Sequence, residues 1–284
     1  MRLGLLYLKF AVFGLLLAGV AQASNLDEIY LKAVNDARMV EHGEISRKLL
    51  GISSPQERNN PKILSWKIIS GKQHVLVCTW AGKYLQGKGW QVGKEYSLAK
   101  TDNLWVTAVP ELKDFFLQRG FWPSSHDGLV LRIKQLLGLP ASDRMTVLIE
   151  FWVRPADLFR PSPDSDPSDH EAQLDYPWKR SPFQSFDPSM KIHSYVDAAN
   201  PDVVYNYKQW FENLNATIYS DDTPYPWTQL GYTYDWADDK FNNNHVGLSE
   251  FIVLGGSNII IEKMVNTEDL GEYFVKPLSV ESVR

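Results

Sequence analysis

The chain has 284 residues, 29 of them Lys or Arg and 34 Asp or Glu, giving a formal net charge of −5. An acidic balance argues against a protein that grips the phosphate backbone of nucleic acid, and leaves metal ions and basic partners open. The length allows a full core in one large domain or two small ones, and a single cysteine excludes an internal disulfide.

The first 23 residues, MRLGLLYLKFAVFGLLLAGVAQA, set Arg2 and Lys9 before an apolar run from Phe10 to Val20 and end on Ala21 and Ala23. That is the three-part layout of a secretory signal peptide. It predicts a mature chain starting at Ser24 and exported to the periplasm or beyond. The leader has no Cys to carry a lipid. Past it, Val75 to Ala81 and Ile252 to Ile261 are the longest apolar runs, well short of the ~18 residues needed to span a bilayer. No membrane span is expected once the leader is removed.

Asn25 with Glu28 three residues on resembles a capping box, and Leu26, Ile29, Ala33, Ala37 and Val40 keep helical spacing, which predicts a helix over 26–42 broken at Gly43. ISSPQERNNP reads as a loop. Leu64, Trp66 and Ile68 alternate, Ser70-Gly71-Lys72 turns the chain, and Val75 to Trp80 returns it as a hairpin. Residues 82–100, rich in Gly and Lys, read as a surface excursion. Leu104 to Val109 is a third strand. Pro110 and Gly120 bracket a helix, and Ser125 caps another that stops at Gly138-Leu139-Pro140.

Met145 to Val153 alternates with apolar residues on both faces, as a central strand does. From Pro155 to Tyr195 the chain turns Pro-rich and acidic but keeps scattered aromatics, which predicts an ordered loop. Asn200-Pro201 opens a helix carrying Val203, Tyr207, Trp210, Phe211 and Leu214 on one face. An aromatic stretch and a polar loop follow. Strands Leu248–Leu254 and Asn258–Met264 then join at Gly255-Gly256, and Thr267 caps a last short helix. Strands and helices do not alternate strictly. The expected fold is therefore one α+β domain over 24–284, a mixed, mainly antiparallel sheet with flanking helices.

Three constellations could carry chemistry. Asp164, Asp166, Asp169, His170, Glu171 and Asp175 crowd one loop. The Asp164, Asp166 and Asp169 spacing makes calcium the candidate ion, though the Gly and terminal Glu of an EF-hand are missing and Pro167 interrupts the coil. No other cofactor is expected, and a solvated loop of Asp-Pro turns is the plainer reading. His170 alone cannot furnish the imidazoles of a catalytic zinc site.

Glu150 in VLIEFWV and Glu250 in GLSEFIV put carboxylates on apolar strands, where ionisation is costly without a partner. Such groups can serve as acid and base. Arg154 and Arg160 are the natural structural partners for Glu150. The third constellation is aromatic. Tyr225, Trp227, Tyr232, Tyr234 and Trp236 could form an exposed stacking platform for sugar rings, or fill the core.

Cys78 reads as a buried small hydrophobe. The nearest His, His74, lies more than ~10 Å away along a strand. Ser249 lacks the spacing of a nucleophile elbow, and the six histidines are scattered. Asn215-Ala216-Thr217 is a glycosylation sequon, which matters in a eukaryotic host.

The strings NLWVTAVPELKDFF (103–116), PADLFRPSPDSD (155–166), YPWTQLGYTYDW (225–236) and GLSEFIV (247–253) together resemble a family of exported bacterial proteins without assigned activity. The resemblance implies bacterial export and gives no residue a role. The leading expectation is an exported protein that binds a glycan or cell-envelope component through Trp227, Tyr232, Tyr234 and Trp236. A secreted hydrolase is the competing expectation, with Glu150 or Glu250 working with His170 or Asp235. A protein-interaction or virulence factor is the third.

Overall fold

A computed structural model gives the fold. It describes residues 25–53, 64–118, 123–174, 190–194, 199–200, 202–220, 222–237 and 244–275. The predicted leader, Gly120 and Asp175 lie outside these residues.

An eight-stranded sheet organises the chain. It contains β1 (Trp66–Ile69), β2 (Lys72–Ala81), β3 (Glu95–Ser97), β4 (Leu104–Ala108), β5 (Val147–Val153), β6 (Leu158–Phe159), β11 (Phe251–Val253) and β12 (Asn258–Asn266). Their order is β3-β12-β5-β2-β4-β11-β6, with β1 also paired to β2. Every pairing in it is antiparallel. Two short ladders stand apart, β7 (Lys191–Ser194) with β8 (Val203–Asn206) and β9 (Tyr232–Tyr234) with β10 (Val246–Ser249). The expected α+β fold is the one observed.

The centre is β2 against β5, whose seven residues are all buried. Period-two alternation sends Val75, Val77, Ile149, Phe151 and Val153 into a core with Leu50, Leu85, Leu98 and Ile261. Leu76, Cys78, Trp80, Leu148 and Trp152 take the other face. That face is covered by α3 (Val109–Gln118), α4 (His126–Leu136) and α6 (Leu270–Val275) through Leu112, Phe116, Ile133, Leu136 and Phe274. The all-apolar strand sequence follows from this two-sided burial. A third cluster joins α1 (residues 25–37) to α5 (Tyr207–Thr217), through Tyr30, Val34, Trp210 and Phe211.

Local signals mostly hold. Ser70 and Gly71 both have positive φ, as a two-residue hairpin turn between β1 and β2 needs. Ser125 Oγ accepts from Gly128 N at 3.1 Å and starts α4.

Four expectations fail, three of them by tertiary pairing. Within the supposed surface excursion 82–100 lie a short helix, α2 (Lys83–Gln86), and β3, which pairs with β12. The first helix ends at residue 37, short of 42. The helix expected from Asn200-Pro201 begins at Tyr207 behind the Asn206 cap, because Val203 to Asn206 pair with β7. The expected 248–254 strand is split between β10 and β11. β11 pairs with β4 and β6 rather than with β12, so no hairpin forms at Gly255-Gly256. A turn dipeptide reports a reversal, not which strand the chain meets next.

Candidate functional site

Each residue singled out from the sequence has a definite place. The aromatic row is interior: Trp227, Tyr232, Tyr234 and Trp236 are all buried. This overturns the exposed platform. A polar-tipped ring can sit in a core when its tip finds an acceptor, and each does. Trp227 Nε1 donates to the Pro161 carbonyl at 3.0 Å and Trp236 Nε1 to that of Leu139 at 3.0 Å. Tyr232 Oη donates to the Glu44 carbonyl at 2.9 Å and Tyr234 Oη to Asp36 at 2.7 Å.

The acidic loop is likewise organised from within. Asp164 accepts from Asp166 N at 3.1 Å, and Asp166 accepts from Ser168 N and Oγ at 2.8 and 2.6 Å. Asp169 lies 3.6 Å from Arg160 Nε. Among the described residues no group of three or more His, Cys, Asp or Glu is arranged to hold a metal ion. The calcium expectation for Asp164, Asp166 and Asp169 finds no such group among the described residues, and Asp169 Oδ1 is buried without a hydrogen-bond partner.

Arg160 ties this loop down. It is completely buried and donates to the carbonyls of Leu50, Asp166, Asp169 and Gly231 at 2.9 to 3.4 Å, with Phe251 against its guanidinium. His170 closes the same region, its Nδ1 2.8 Å from the Leu49 carbonyl. That oxygen can only accept, so Nδ1 carries the proton.

The carboxylates separate. Glu150 is held by Tyr273 Oη at 2.6 Å, with Lys113 Nζ at 3.9 Å. Neither arginine expected beside it is there. Arg154 makes two hydrogen bonds to Asp157, at 2.7 and 2.6 Å, and Arg160 has the partners above. Asp235 is fully buried and meets Arg132 in a two-pronged pair at 2.9 and 2.6 Å.

Glu250 differs from all of these. Among the described residues it is buried with no cation acting on it, and its Oε2 has no hydrogen-bond partner. Burial pushes its pKa up to about 8. Its Oε1 lies 3.1 Å from Tyr225 Oη, which itself lies 2.9 Å from the Leu137 carbonyl. One hydroxyl hydrogen cannot fully serve both oxygens. With it on the Leu137 carbonyl, the contact to Glu250 becomes a hydrogen bond when the carboxyl carries a proton and donates it.

Glu250 also lines a cavity of about 340 Å³. The cavity lies on the helix-covered side of the sheet. Cys78, Trp80, Trp105, Thr107 and Leu148 come from strands, Leu112 from α3, and Leu214 and Ile218 from α5 and the residue after it. Leu137 and Leu139 close it from the turn after α4. That turn depends on Gly138, whose φ is +68° and where a Cβ would sit 3.2 to 3.3 Å from the Tyr225 ring.

A space of this size, mostly apolar with a few convergent polar groups, has the character of a small-molecule site. Glu150, His170 and Asp235 are not among its lining residues. Glu250 was legible from the sequence as a carboxyl on an apolar strand. Tyr225 was read only as one ring of the aromatic row. Leu139 was read only as part of a helix stop, and Leu137, Leu214 and Ile218 carried no functional signal.

Comparison with protein-family models, with curated proteins and with solved structures finds no match to this chain.

Proposed function

We propose that this chain is an exported small-molecule-binding protein whose ligand lies in the cavity beside Glu250 and has a largely apolar body. The observation that carries the reading is the coincidence of two features. An apolar cavity of about 340 Å³ and a buried carboxyl with an unspent oxygen occupy the same place. Leaving such an oxygen unmatched costs about 1–3 kcal/mol, more for a charged group, and a ligand donor would recover it. Export rests on the leader, with Arg2 and Lys9 before Phe10 to Val20 and Ala21-x-Ala23 at the cleavage point.

A glycan is not the ligand favoured. Saccharides need exposed rings and many hydrogen-bonding groups, whereas Trp227, Tyr232, Tyr234 and Trp236 are interior. The polar side chains at the cavity are Thr79, Thr107, Thr233, Tyr225 and Glu250, with the Cys78 thiol. A hydrolase is not favoured either, because Glu250 has no second carboxyl or imidazole among the described residues lining the cavity. The acidic loop serves as a connector anchored on Arg160, so millimolar calcium leaves the melting temperature where EDTA leaves it.

Uptake of N-phenyl-1-naphthylamine, a neutral dye at neutral pH that brightens in apolar surroundings, tests the reading. Saturable brightening is expected with the wild type. It is lost in Leu214→Trp, which fills the cavity from α5, while that variant keeps its melting temperature. Brightening that is absent or non-saturable in the wild type, or unchanged in Leu214→Trp, overturns the site. Amino-terminal sequencing of protein recovered from a periplasmic extract should start at Ser24.

A further inference from the structure

We propose that the ligand is an organic amine, with a compact apolar body ending in an ammonium group that docks on Glu250. The inference rests on the cavity reading above and adds the chemistry of the head group.

Charge asymmetry argues for it first. The described residues lining the cavity include one carboxyl and no Lys, Arg or His. The nearby cations are committed elsewhere: Arg132 to Asp235, Lys113 to Glu150, and Arg160 to four carbonyls and Asp169. An anionic ligand such as a fatty acid would enter a lining that holds no cation to balance it. An ammonium brings the missing countercharge.

Hydrogen bonding argues next. Glu250 Oε2 is an acceptor without a donor, and Tyr225 already occupies Oε1. A primary ammonium offers three N–H groups, of which one completes the carboxylate. The walls fit a cation as well. Trp105 and Tyr225, with ring centroids 5.9 Å apart and a 59° tilt, and Trp80 place aromatic rings around the space. An ammonium that loses water is attracted to the face of such a ring.

The proton balance follows. Without ligand, the Glu250 carboxyl is largely protonated at neutral pH, being held up to about 8 by burial. Besides Tyr225, three titratable groups stand around it: Tyr30, which acts through Tyr225 and is itself pushed up by burial, the Cys78 thiol in the same lining, likewise pushed up by burial, and Glu111, which accepts from Ser249 N and from Thr107 Oγ1. Docking the ammonium ionises Glu250 and releases one proton to solvent. The ion pair that forms is R–NH₃⁺ with the Glu250 carboxylate. Affinity therefore weakens as pH falls, by tenfold per unit well below the Glu250 pKa.

The test compares 1-naphthylmethylamine with 1-naphthalenemethanol, which share a body and differ in head group. Titration calorimetry of the wild type is expected to show tight amine binding at pH 9 and roughly hundredfold weaker binding at pH 6. In two buffers of different ionisation enthalpy at pH 7, close to one proton should be released. The alcohol should bind more weakly, with no pH dependence. Glu250→Gln should lose the preference for the amine while retaining the alcohol.

Equal binding of amine and alcohol, no proton release, or a Glu250→Gln variant with full amine affinity would each sink the amine while leaving the cavity intact. Binding of neither molecule, together with no dye uptake, would remove the cavity reading itself. The pH and proton measurements use the wild type alone, so they decide the matter even if Glu250→Gln misfolds.

Discussion

Tyr225 Oη stands 3.1 Å from Glu250 Oε1 and 2.9 Å from the carbonyl of Leu137, so one phenol links the sheet to the turn after α4. This contact couples a titrating group to the closure of the cavity. Glu250, Tyr225 and Leu137 all line that space.

The coupling makes stability depend on pH with a definite sign. Glu250 is raised from 4.5 to about 8 in the folded chain. Below pH 4.5 it is protonated folded or unfolded, and its contribution is fully present. As pH climbs to 8 the unfolded chain gives up the proton and the folded chain holds it, so stability falls. The loss across that window is on the order of 4 kcal/mol at most. Asp169 acts in the same direction but only from 3.8 to about 6. Urea melts between pH 6 and 8 should thus show declining stability in the wild type and a flatter profile in Glu250→Gln. Equal slopes in that interval would refute the assignment.

Gly231 is the second point of leverage. Its φ is +70°, and a Cβ there would lie 2.5 Å from Arg160 Cδ and 2.8 Å from Cγ. Gly231→Ala therefore strains the backbone and displaces the guanidinium from its carbonyls, costing roughly 3 kcal/mol or more. Gly271, helical and with open space around its Cα, makes the contrast. Gly271→Ala should raise stability by about 0.5–1 kcal/mol. Chemical denaturation of the two variants, read side by side, checks both signs.

The Arg132–Asp235 pair should behave as a buried unit. Asp235→Leu strands a guanidinium that is itself buried, at a cost of about 3–5 kcal/mol, and Arg132→Met strands the carboxylate similarly. The double variant Arg132→Met with Asp235→Leu is expected to recover most of the loss. A double-mutant cycle giving additive costs would mean that the two charges do not depend on each other.

Cys78 is fully buried on the central strand, and burial, with Glu150 nearby, pushes its thiol far above the ordinary range. The thiolate is the reactive form. Ellman's reagent should leave the native protein untouched over hours and titrate one thiol in denaturant. Rapid reaction of the native protein at pH 8 would contradict the burial.

The fold was legible wherever local chemistry decided it. The Ser70-Gly71 turn, the Ser125 cap and the double-sided apolar strand at Glu150 all carry their structure in a few adjacent residues. Partner choice was not legible. Nothing in GLSEFIV says that Phe251 meets Val106 rather than the next strand along, since long-range pairing is settled by which faces remain to be covered. The site divided in the same way. A carboxyl inside an apolar run marked Glu250, but that signal is identical for Glu150, and only the fold gives one of them Lys113 and leaves the other without a cation. The row of rings misled because burial of Tyr and Trp depends on distant carbonyls, such as Pro161 for Trp227, that sequence spacing does not reveal.

The placement of β12 sets a timetable for assembly. This strand, Asn258–Asn266, is inserted between β3 and β5, both encoded far earlier in the chain. Until it arrives, β5 is a bare edge and β3 has no strand to pair with, which invites adhesion to neighbouring chains. The sheet cannot zip shut during translation, and its long-range pairing is intrinsically slow. A polypeptide that stays threadable until β12 is made suits the membrane passage proposed for it.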